Sequence, residues 1–132
     1  MNKITEELKK IGVFYVATAD AEGNPHVRPF GAASEFEGKT YIITNNQKKC
    51  YAEMIAHPKI EISGTTPNDE WIRLNAEVKR DDRREARKAM LDAYPDLRSM
   101  YNEDDGIVEV LCLENVSCTE YSFTAEPKKI SD

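Results

Sequence analysis

The stretch YIITNNQKK, residues 41–49, runs from a β-rich segment directly into a helical one. A strand that leads straight into a helix presents free backbone N–H groups and the positive end of the helix dipole, which favour a bound anion. Lys48 and Lys49 stand in the first predicted helical turn, where positive charge is unfavourable unless an anion such as phosphate is bound. The alternative interpretation is that both lysines extend into solvent and that Asn45 or Asn46 caps the helix.

The residues before this stretch predict one short helix followed by β-hairpins. Apolar residues at helical spacing predict a helix over residues 3–11, which ends at Gly12. Turn-forming residues at 20–25 and 37–39 separate the strands that follow. The predicted strands cover residues 13–19, an extended run over 26–30 and 32–36 that counts as the second strand, and 40–44 as the third.

The residues after it alternate between helical and extended patterns. Helices are predicted over 48–57 and from a capping-box-like start at 82–85 to Tyr94, with a short helical turn at 97–101. Residues 114–115 are predicted to join the last two strands, and 126–132 to form a frayed polar tail. The strands of this half cover residues 59–63, 71–78, 106–113 and 116–124.

Six to seven short strands, mostly in sequential hairpins with a few short helices, predict a mainly β fold. This order favours an antiparallel barrel or sandwich over a parallel βαβ sheet. A chain of 132 residues without an internal repeat or linker is typical of one domain, here residues 1–132.

The composition indicates a small-molecule partner. The formal charge of −6, from 18 Lys and Arg against 24 Asp and Glu, disfavours binding to nucleic acid or to an anionic membrane. The first residues carry acidic side chains where a signal peptide needs an apolar run, and no segment approaches the roughly 18 apolar residues of a membrane span. We therefore expect a cytoplasmic protein.

Cys50, Cys112 and Cys118 lack metal or redox spacing and are predicted to be reduced, structural thiols.

Arg28 is a candidate phosphate ligand on the second predicted strand. Pro29 cannot donate a ladder hydrogen bond, so the strand is locally an edge, a bulge or a place where a ligand meets the backbone. Strand alternation directs Phe30 to the same side as Arg28, whose guanidinium can bind phosphate with two hydrogen bonds. The alternative is an arginine paired with one of the many carboxylates.

Trp71 and Arg73 share one face of a long predicted strand. An aromatic surface beside a cation suits a planar electron-rich ligand or a neighbouring subunit, although a tryptophan also serves as a core residue. His26 and His57 flank no metal-binding or triad motif, and no protein nucleophile or acid–base pair is evident. If the chain is an enzyme, its reactivity is expected to come from a cofactor.

The order of these segments resembles the FMN-binding split-barrel superfamily of pyridoxamine 5'-phosphate oxidase over about residues 1–125. The quoted motifs are DAEGNPHVRPF at 20–30, ITNNQKK at 43–49, HPKI at 57–60 and WIRL at 71–74. The resemblance implies an antiparallel split β-barrel that forms a homodimer and holds FMN between its subunits.

The same resemblance implies where the cofactor binds. The phosphate would be surrounded by Arg28, Thr44 and one or both of Lys48 and Lys49. The ribityl chain and the ring would be flanked by backbone around Arg28 to Phe30 and Ile42 to Thr44, and the partner subunit would contribute Trp71 and Arg73. The resulting set of cofactor-binding residues is Arg28, Pro29, Phe30, Ile43, Thr44, Asn45, Lys48, Lys49, Trp71 and Arg73.

Three functions follow from this interpretation. The first is an FMN-dependent oxidoreductase that acts on an unidentified small molecule other than a vitamin B6 compound, because the sequence ends without the basic C-terminal residues of the true oxidase. The second is a non-catalytic flavin-binding or redox-responsive module. The third is a barrel that binds another planar ligand, such as heme, deazaflavin or a nucleotide.

Overall fold

Antiparallel strands dominate the computed structural model, which describes residues 1–131. The helices are α1 (Lys3–Ile11), α2 (Lys49–Ala56) and α3 (Arg84–Ala93), and a short 3₁₀ helix covers Pro95–Ser99. The strands are β1 (Phe14–Ala19), β2 (Pro25–Phe30), β3 (Ala33–Phe36), β4 (Lys39–Asn45), β5 (Lys59–Thr65), β6 (Trp71–Asp81), β7 (Val108–Tyr121) and β8 (Lys128–Ile130). The predicted mainly β fold with short helices is confirmed.

The strands pair in one sheet whose order is β2-β1-β5-β6-β7-β4-β3, and β8 pairs with β7 outside this path. Every pairing is antiparallel. Because β7 pairs with β4, the residues just before Val108 lie beside the end of β4 at Asn45. This topology brings the segment that follows α3 to the strand-to-helix stretch, although about fifty residues separate the two in the chain.

The main core lies on one face of the sheet, where alternate strand residues such as Val16, Ile62 and Leu74 are fully buried. α1 covers this core with Leu8, and α2 covers it with Met54. α1 approaches β5 closely at Gly64, since a Cβ at this position would lie 2.6 Å from Ile11 Cγ2. Glycine therefore permits the contact between this helix and the sheet.

A second, smaller cluster lies between α3 and the strands β4 and β7. Met90 of α3 is fully buried against a group that includes Tyr41, Val110 and Cys112. Two faces of the sheet are thus covered by helices, which explains the long apolar run in the first half of β7. No helix within residues 1–131 combines the length and apolar character that crossing a bilayer requires.

Three local predictions are wrong. Residues 114–115 do not end a strand, because β7 continues through them: Asn115 takes a left-handed backbone conformation (φ 51°) and the register with β6 shifts between Asn75 and Glu77. The tail is not frayed, since β8 pairs Ile130 with Cys118, although residue 132 lies outside the described part of the chain. α3 has no capping box, because Arg83 occupies its N-cap without a side-chain bond.

Candidate functional site

A cleft of about 310 Å³ lies where the ends of β2 and β4 meet the segment after α3. It reaches the surface at Met100, which is 66% exposed. Its lining is mostly apolar or aromatic, which is typical of small-molecule sites. The lining residues are Arg28, Pro29, Phe30, Gly31, Ala32, Ile43, Thr44, Lys48, Cys50, Tyr94, Leu97, Met100 and Tyr101.

One end of the cleft is formed by the turn between β4 and α2. The Gln47 backbone N–H donates to Asn45 Oδ1 at 3.0 Å, and the Lys48 N–H donates to the Asn45 carbonyl at 3.3 Å. Lys48 is the N-cap of α2 and makes no side-chain capping bond, so no side chain satisfies the first N–H groups of this helix. The predicted strand-to-helix junction is confirmed, and it leaves donors suited to an anion.

A buried carboxylate, Glu109, anchors this turn to the sheet through a hydrogen bond from Asn46. The side-chain amide of Asn46 donates to the Gly106 carbonyl at 2.8 Å and to Glu109 Oε2 at 3.0 Å. Glu109 is buried on β7 and accepts a hydrogen bond from Arg80 Nε at 2.8 Å. This network fixes the turn to the sheet, so its backbone N–H groups have a defined direction.

The two candidate lysines are placed differently. Lys48 lines the cleft, whereas Lys49 is exposed and does not line it. Within residues 1–131 neither lysine has an ion-pair partner. Lys48 is therefore a free cation beside the uncapped end of α2.

Arg28 lines the cleft but is also held by its own subunit. Arg28 Nη1 donates to Thr18 Oγ1 at 2.8 Å and to the Val16 carbonyl at 3.1 Å, and Nη2 lies 3.5 Å from Glu53 Oε1. The carboxylate contact agrees with the alternative interpretation of this residue, and phosphate binding by Arg28 stays a prediction.

Of the remaining predicted residues, Pro29, Phe30, Ile43 and Thr44 line the cleft and Asn45 does not. Phe30 pairs with Phe14 across the sheet, and their ring centroids are 6.2 Å apart. Thr44 is buried with its hydroxyl 3.5 Å from Cys50 Sγ, and Ile43 is half-buried beside it. Pro29 is an exposed lining residue, and Asn45 adjoins the cleft through the turn.

Trp71 and Arg73 do not line this cleft. Trp71 stacks on Tyr121 with ring centroids 6.0 Å apart and lies 5.0 Å from the ring centroid of Phe123, which is 89% exposed. Arg73 lies over the Tyr121 ring, and its Nε is 3.3 Å from Glu61 Oε1. Within one chain, these residues form a separate surface, which we call the aromatic patch (Trp71, Arg73, Tyr121 and Phe123).

Sequence reasoning missed one wall of the cleft, which consists of Tyr94, Leu97, Met100 and Tyr101. The Tyr94 hydroxyl donates to the Ala33 carbonyl at 2.9 Å, and Asn45 Nδ2 donates to the Tyr101 hydroxyl at 2.7 Å. The helical turn at 97–101 was predicted, but only the β4–β7 pairing brings it to the turn. A signal for its role was the concentration of aromatic and apolar residues in a short polar segment.

A second concavity, of about 420 Å³, lies near the start of β4 and contains a structural ion pair. The Tyr41 hydroxyl donates to Asp81 Oδ2 at 2.7 Å, and Arg83 Nη2 lies 2.9 Å from the same oxygen. The bonds from Arg83 and Tyr41 hold the pKa of Asp81 well below its usual range, while burial and the bond to Asp81 raise the pKa of Tyr41. These shifts keep Asp81 ionised beside Arg83 and keep the Tyr41 hydroxyl protonated.

No group of three His, Cys, Asp or Glu side chains within residues 1–131 could hold a metal ion. His26 contacts Asp20 at 3.0 Å, and this bond, with those from Asn24, lowers the pKa of Asp20 to about 2. All three cysteines are buried and unpaired.

Comparisons with known proteins fit this geometry. A NimC/NimA family protein from Clostridium acetobutylicum is 48% identical, with a TM-score of 0.93 over 98% of this chain and 90% of that one. A pyridoxamine 5'-phosphate oxidase-related, FMN-binding protein from Nostoc punctiforme is 16% identical, with a TM-score of 0.67 over 97% and 90% of the two chains. A heme-binding protein from Mycobacterium smegmatis is 18% identical, with a TM-score of 0.74 over 99% of this chain and 59% of that one.

No curated protein sequence matches the chain. The likeness to solved structures confirms the predicted split barrel. The model of the pyridoxamine 5'-phosphate oxidase family matches residues 1–110, which is most of the 132 residues. This chain therefore belongs to the pyridoxamine 5'-phosphate oxidase family.

Proposed function

We propose that this chain binds FMN and acts as a flavin-dependent oxidoreductase on a small molecule. The observation that carries the proposal is the cleft whose end combines the uncapped N-terminus of α2 with the unpaired cation of Lys48. Membership of the family and the FMN-binding relative support the choice of flavin over other phosphorylated ligands.

The phosphate would bind at the turn between β4 and α2. Lys48 and the free N–H groups of α2 supply positive charge and donors, and the Thr44 hydroxyl is close behind them. Arg28 would add its remaining donors from the opposite side. Lys49 lies outside the lining and would act only through its long-range charge. The donor set thus fits a phosphate monoester.

The flavin ring would lie against the apolar part of the cleft. Phe30, Ile43 and Leu97 offer flat or aliphatic surface that excludes water. Bound FMN would supply hydride or electron transfer, while the protein positions the ring and sets its electrostatic surroundings. Among the described lining residues there is no carboxylate or histidine, so we assign no catalytic base to the protein.

A second copy of the chain would complete the site. The cleft of about 310 Å³ is at the small end for a ligand of this size and is open on one side. Exposed apolar residues on the outer face of β1 and β2, Tyr15 at 49% and Val27 at 67% exposure, suit burial against a partner. We therefore propose a homodimer in which the aromatic patch of one copy covers the cleft of the other.

The three unpaired cysteines suit a reducing compartment, and the proposed location is the cytoplasm.

A non-catalytic flavin-binding or redox-responsive module is the second candidate function. The lack of a carboxylate or histidine among the described lining residues favours it, because the flavin could then be held without being used.

The test is an absorbance spectrum of the purified protein before and after FMN addition and desalting, followed by anaerobic reduction with NADH or NADPH. Retained flavin with a shifted spectrum, reduced faster than free FMN and reoxidised by an organic acceptor, would support the oxidoreductase. Retained flavin that reacts no faster than free FMN would favour the non-catalytic module. Protein that takes up no FMN would contradict both and direct the search to other planar ligands.

A further inference from the structure

The hydrogen bond between Asn45 and Tyr101 has a direction that the backbone fixes. Asn45 Oδ1 lies 3.0 Å from the Gln47 backbone nitrogen, and Asn45 Nδ2 lies 2.7 Å from the Tyr101 hydroxyl. A backbone N–H can only donate, so it requires the oxygen of the Asn45 amide. The amide nitrogen therefore faces Tyr101, and the tyrosine oxygen accepts this hydrogen bond.

Tyr101 is left with a proton to donate. A phenol is both donor and acceptor, and no residue within 1–131 accepts a hydrogen bond from the Tyr101 hydroxyl. Other tyrosines around β4 differ, since the Tyr94 hydroxyl donates to the Ala33 carbonyl at 2.9 Å and the Tyr41 hydroxyl donates to Asp81 at 2.7 Å. Those two protons are used within the fold, whereas that of Tyr101 is available.

The position of Tyr101 indicates what would receive this proton. Its side chain is half-buried and lines the cleft, and its hydroxyl adjoins the turn that also carries Lys48. An acceptor that lies in the cleft beside this turn is also next to the uncapped end of α2. These surroundings favour an anionic oxygen, since Lys48 is a cation and the first N–H groups of α2 are donors.

We infer that Tyr101 is a further phosphate-binding residue, whose hydroxyl donates to an oxygen of the FMN phosphate while Asn45 holds it in that direction. The assignment rests on the proposed flavin function and extends it to the wall after α3. Because Asn45 already occupies the acceptor side of the hydroxyl, the proton is oriented before the ligand arrives, which lowers the entropic cost of binding. Tyr101 thereby links the cofactor to the segment 94–101.

The test compares FMN with riboflavin, which has the same ring and ribityl chain but no phosphate. Tyr101→Phe removes the hydroxyl and keeps the aromatic ring, and Tyr51→Phe is the matched control, since Tyr51 is half-buried on α2 and does not line the cleft. Equilibrium dissociation constants for both flavins are measured by fluorescence quenching. We expect Tyr101→Phe to weaken FMN binding by roughly tenfold and to leave riboflavin binding unchanged.

Two other outcomes would contradict the phosphate-binding role of Tyr101 and the proposed function, respectively. If FMN binding by Tyr101→Phe equals that of the wild type, or if both flavins weaken equally, the hydroxyl does not serve the phosphate. Unchanged riboflavin binding also shows that the variant retains its folded cleft. Wild-type protein that binds neither flavin would instead overturn the proposed function, and with it this assignment.

Discussion

Arg28 Nη1 lies 2.8 Å from Thr18 Oγ1 and 3.1 Å from the Val16 carbonyl, so the guanidinium joins β2 to β1 across the inner face of the sheet. Glu53 of α2 lies at the end of this contact, 3.5 Å from Arg28 Nη2. The side chains of Arg28 and Glu53 are only 24% and 15% exposed. Arg28 therefore has a structural role in addition to its position in the cleft.

Arg28→Ala is expected to lower the free energy of unfolding by about 2 kcal/mol, because the partly buried Glu53 loses its cationic partner and keeps only the hydrogen bond from Thr18. The measurement is urea denaturation followed by circular dichroism. Lys59→Ala, which removes an exposed cation from β5, is the control and should change stability by less than about 0.5 kcal/mol. Equal denaturation midpoints for Arg28→Ala and the wild type would refute the structural role.

Lys48→Ala and Lys49→Ala separate two neighbouring lysines that sequence reasoning treats alike. Lys48 lines the cleft and Lys49 does not, so we expect Lys48→Ala to weaken FMN binding about fivefold and Lys49→Ala less than about twofold. FMN titrations at low and high salt check this, and the effect of Lys48→Ala should shrink as salt screens the charge. Equal losses in the two variants would show that only overall charge matters.

The pH dependence of the free energy of unfolding in acid should reveal the ion pair between Asp81 and Arg83. Its pKa is lowered by Arg83 and Tyr41, so the stabilisation is fully present above the ordinary aspartate pKa of about 3.9 and is lost as the pH falls toward the lower folded-state pKa. Asp81→Asn should therefore cost about 1–2 kcal/mol near neutral pH and progressively less in acid. Urea midpoints across pH measure this.

Asp96→Asn is the control for this series, because Asp96 is exposed on the 3₁₀ helix. Its stability should follow the wild type at every pH. A constant difference between Asp81→Asn and the wild type down to about pH 3 would contradict the ion-pair explanation.

The cysteines should react slowly in the native protein. Cys50, Cys112 and Cys118 are at most 5% exposed, and burial raises the pKa of the Cys118 thiol to about 11. Ellman's reagent should therefore modify all three thiols rapidly in urea but none of them during the first minutes in native buffer. Rapid native reaction of one thiol would contradict the burial of that side chain.

Local patterns were sufficient to predict most of the strands and the strand-to-helix junction. The periodicity of Ile4, Leu8 and Ile11 predicts α1, and the change of period after Asn45 predicts the turn that carries Lys48. The two-stranded interpretation of β7 failed because Asn115 adopts the left-handed conformation of a turn without ending the ladder. Such a bulge depends on the pairing strand, which sequence alone does not reveal.

Only some of the residues that line the cleft could be predicted from the sequence. Arg28, Phe30 and Thr44 could be identified from strand alternation and the family resemblance, because they lie on strands near the junction. Tyr94 and Tyr101 reach the same cleft through the pairing of β4 with β7, a contact between distant parts of the chain. The hydrogen bonds from Arg28 to Val16 and Thr18 could not be predicted either, because they depend on the register of the β1–β2 hairpin.

The central claim, that two copies of the chain hold FMN between them, is tested most directly by sedimentation velocity recorded at both the protein and the flavin absorbance. With FMN present, the flavin should sediment with a species of two chains at one FMN per chain. Lys48→Ala should release flavin without dissociation of the dimer. Flavin that remains free while the chain sediments as a monomer would contradict both the shared site and the cofactor.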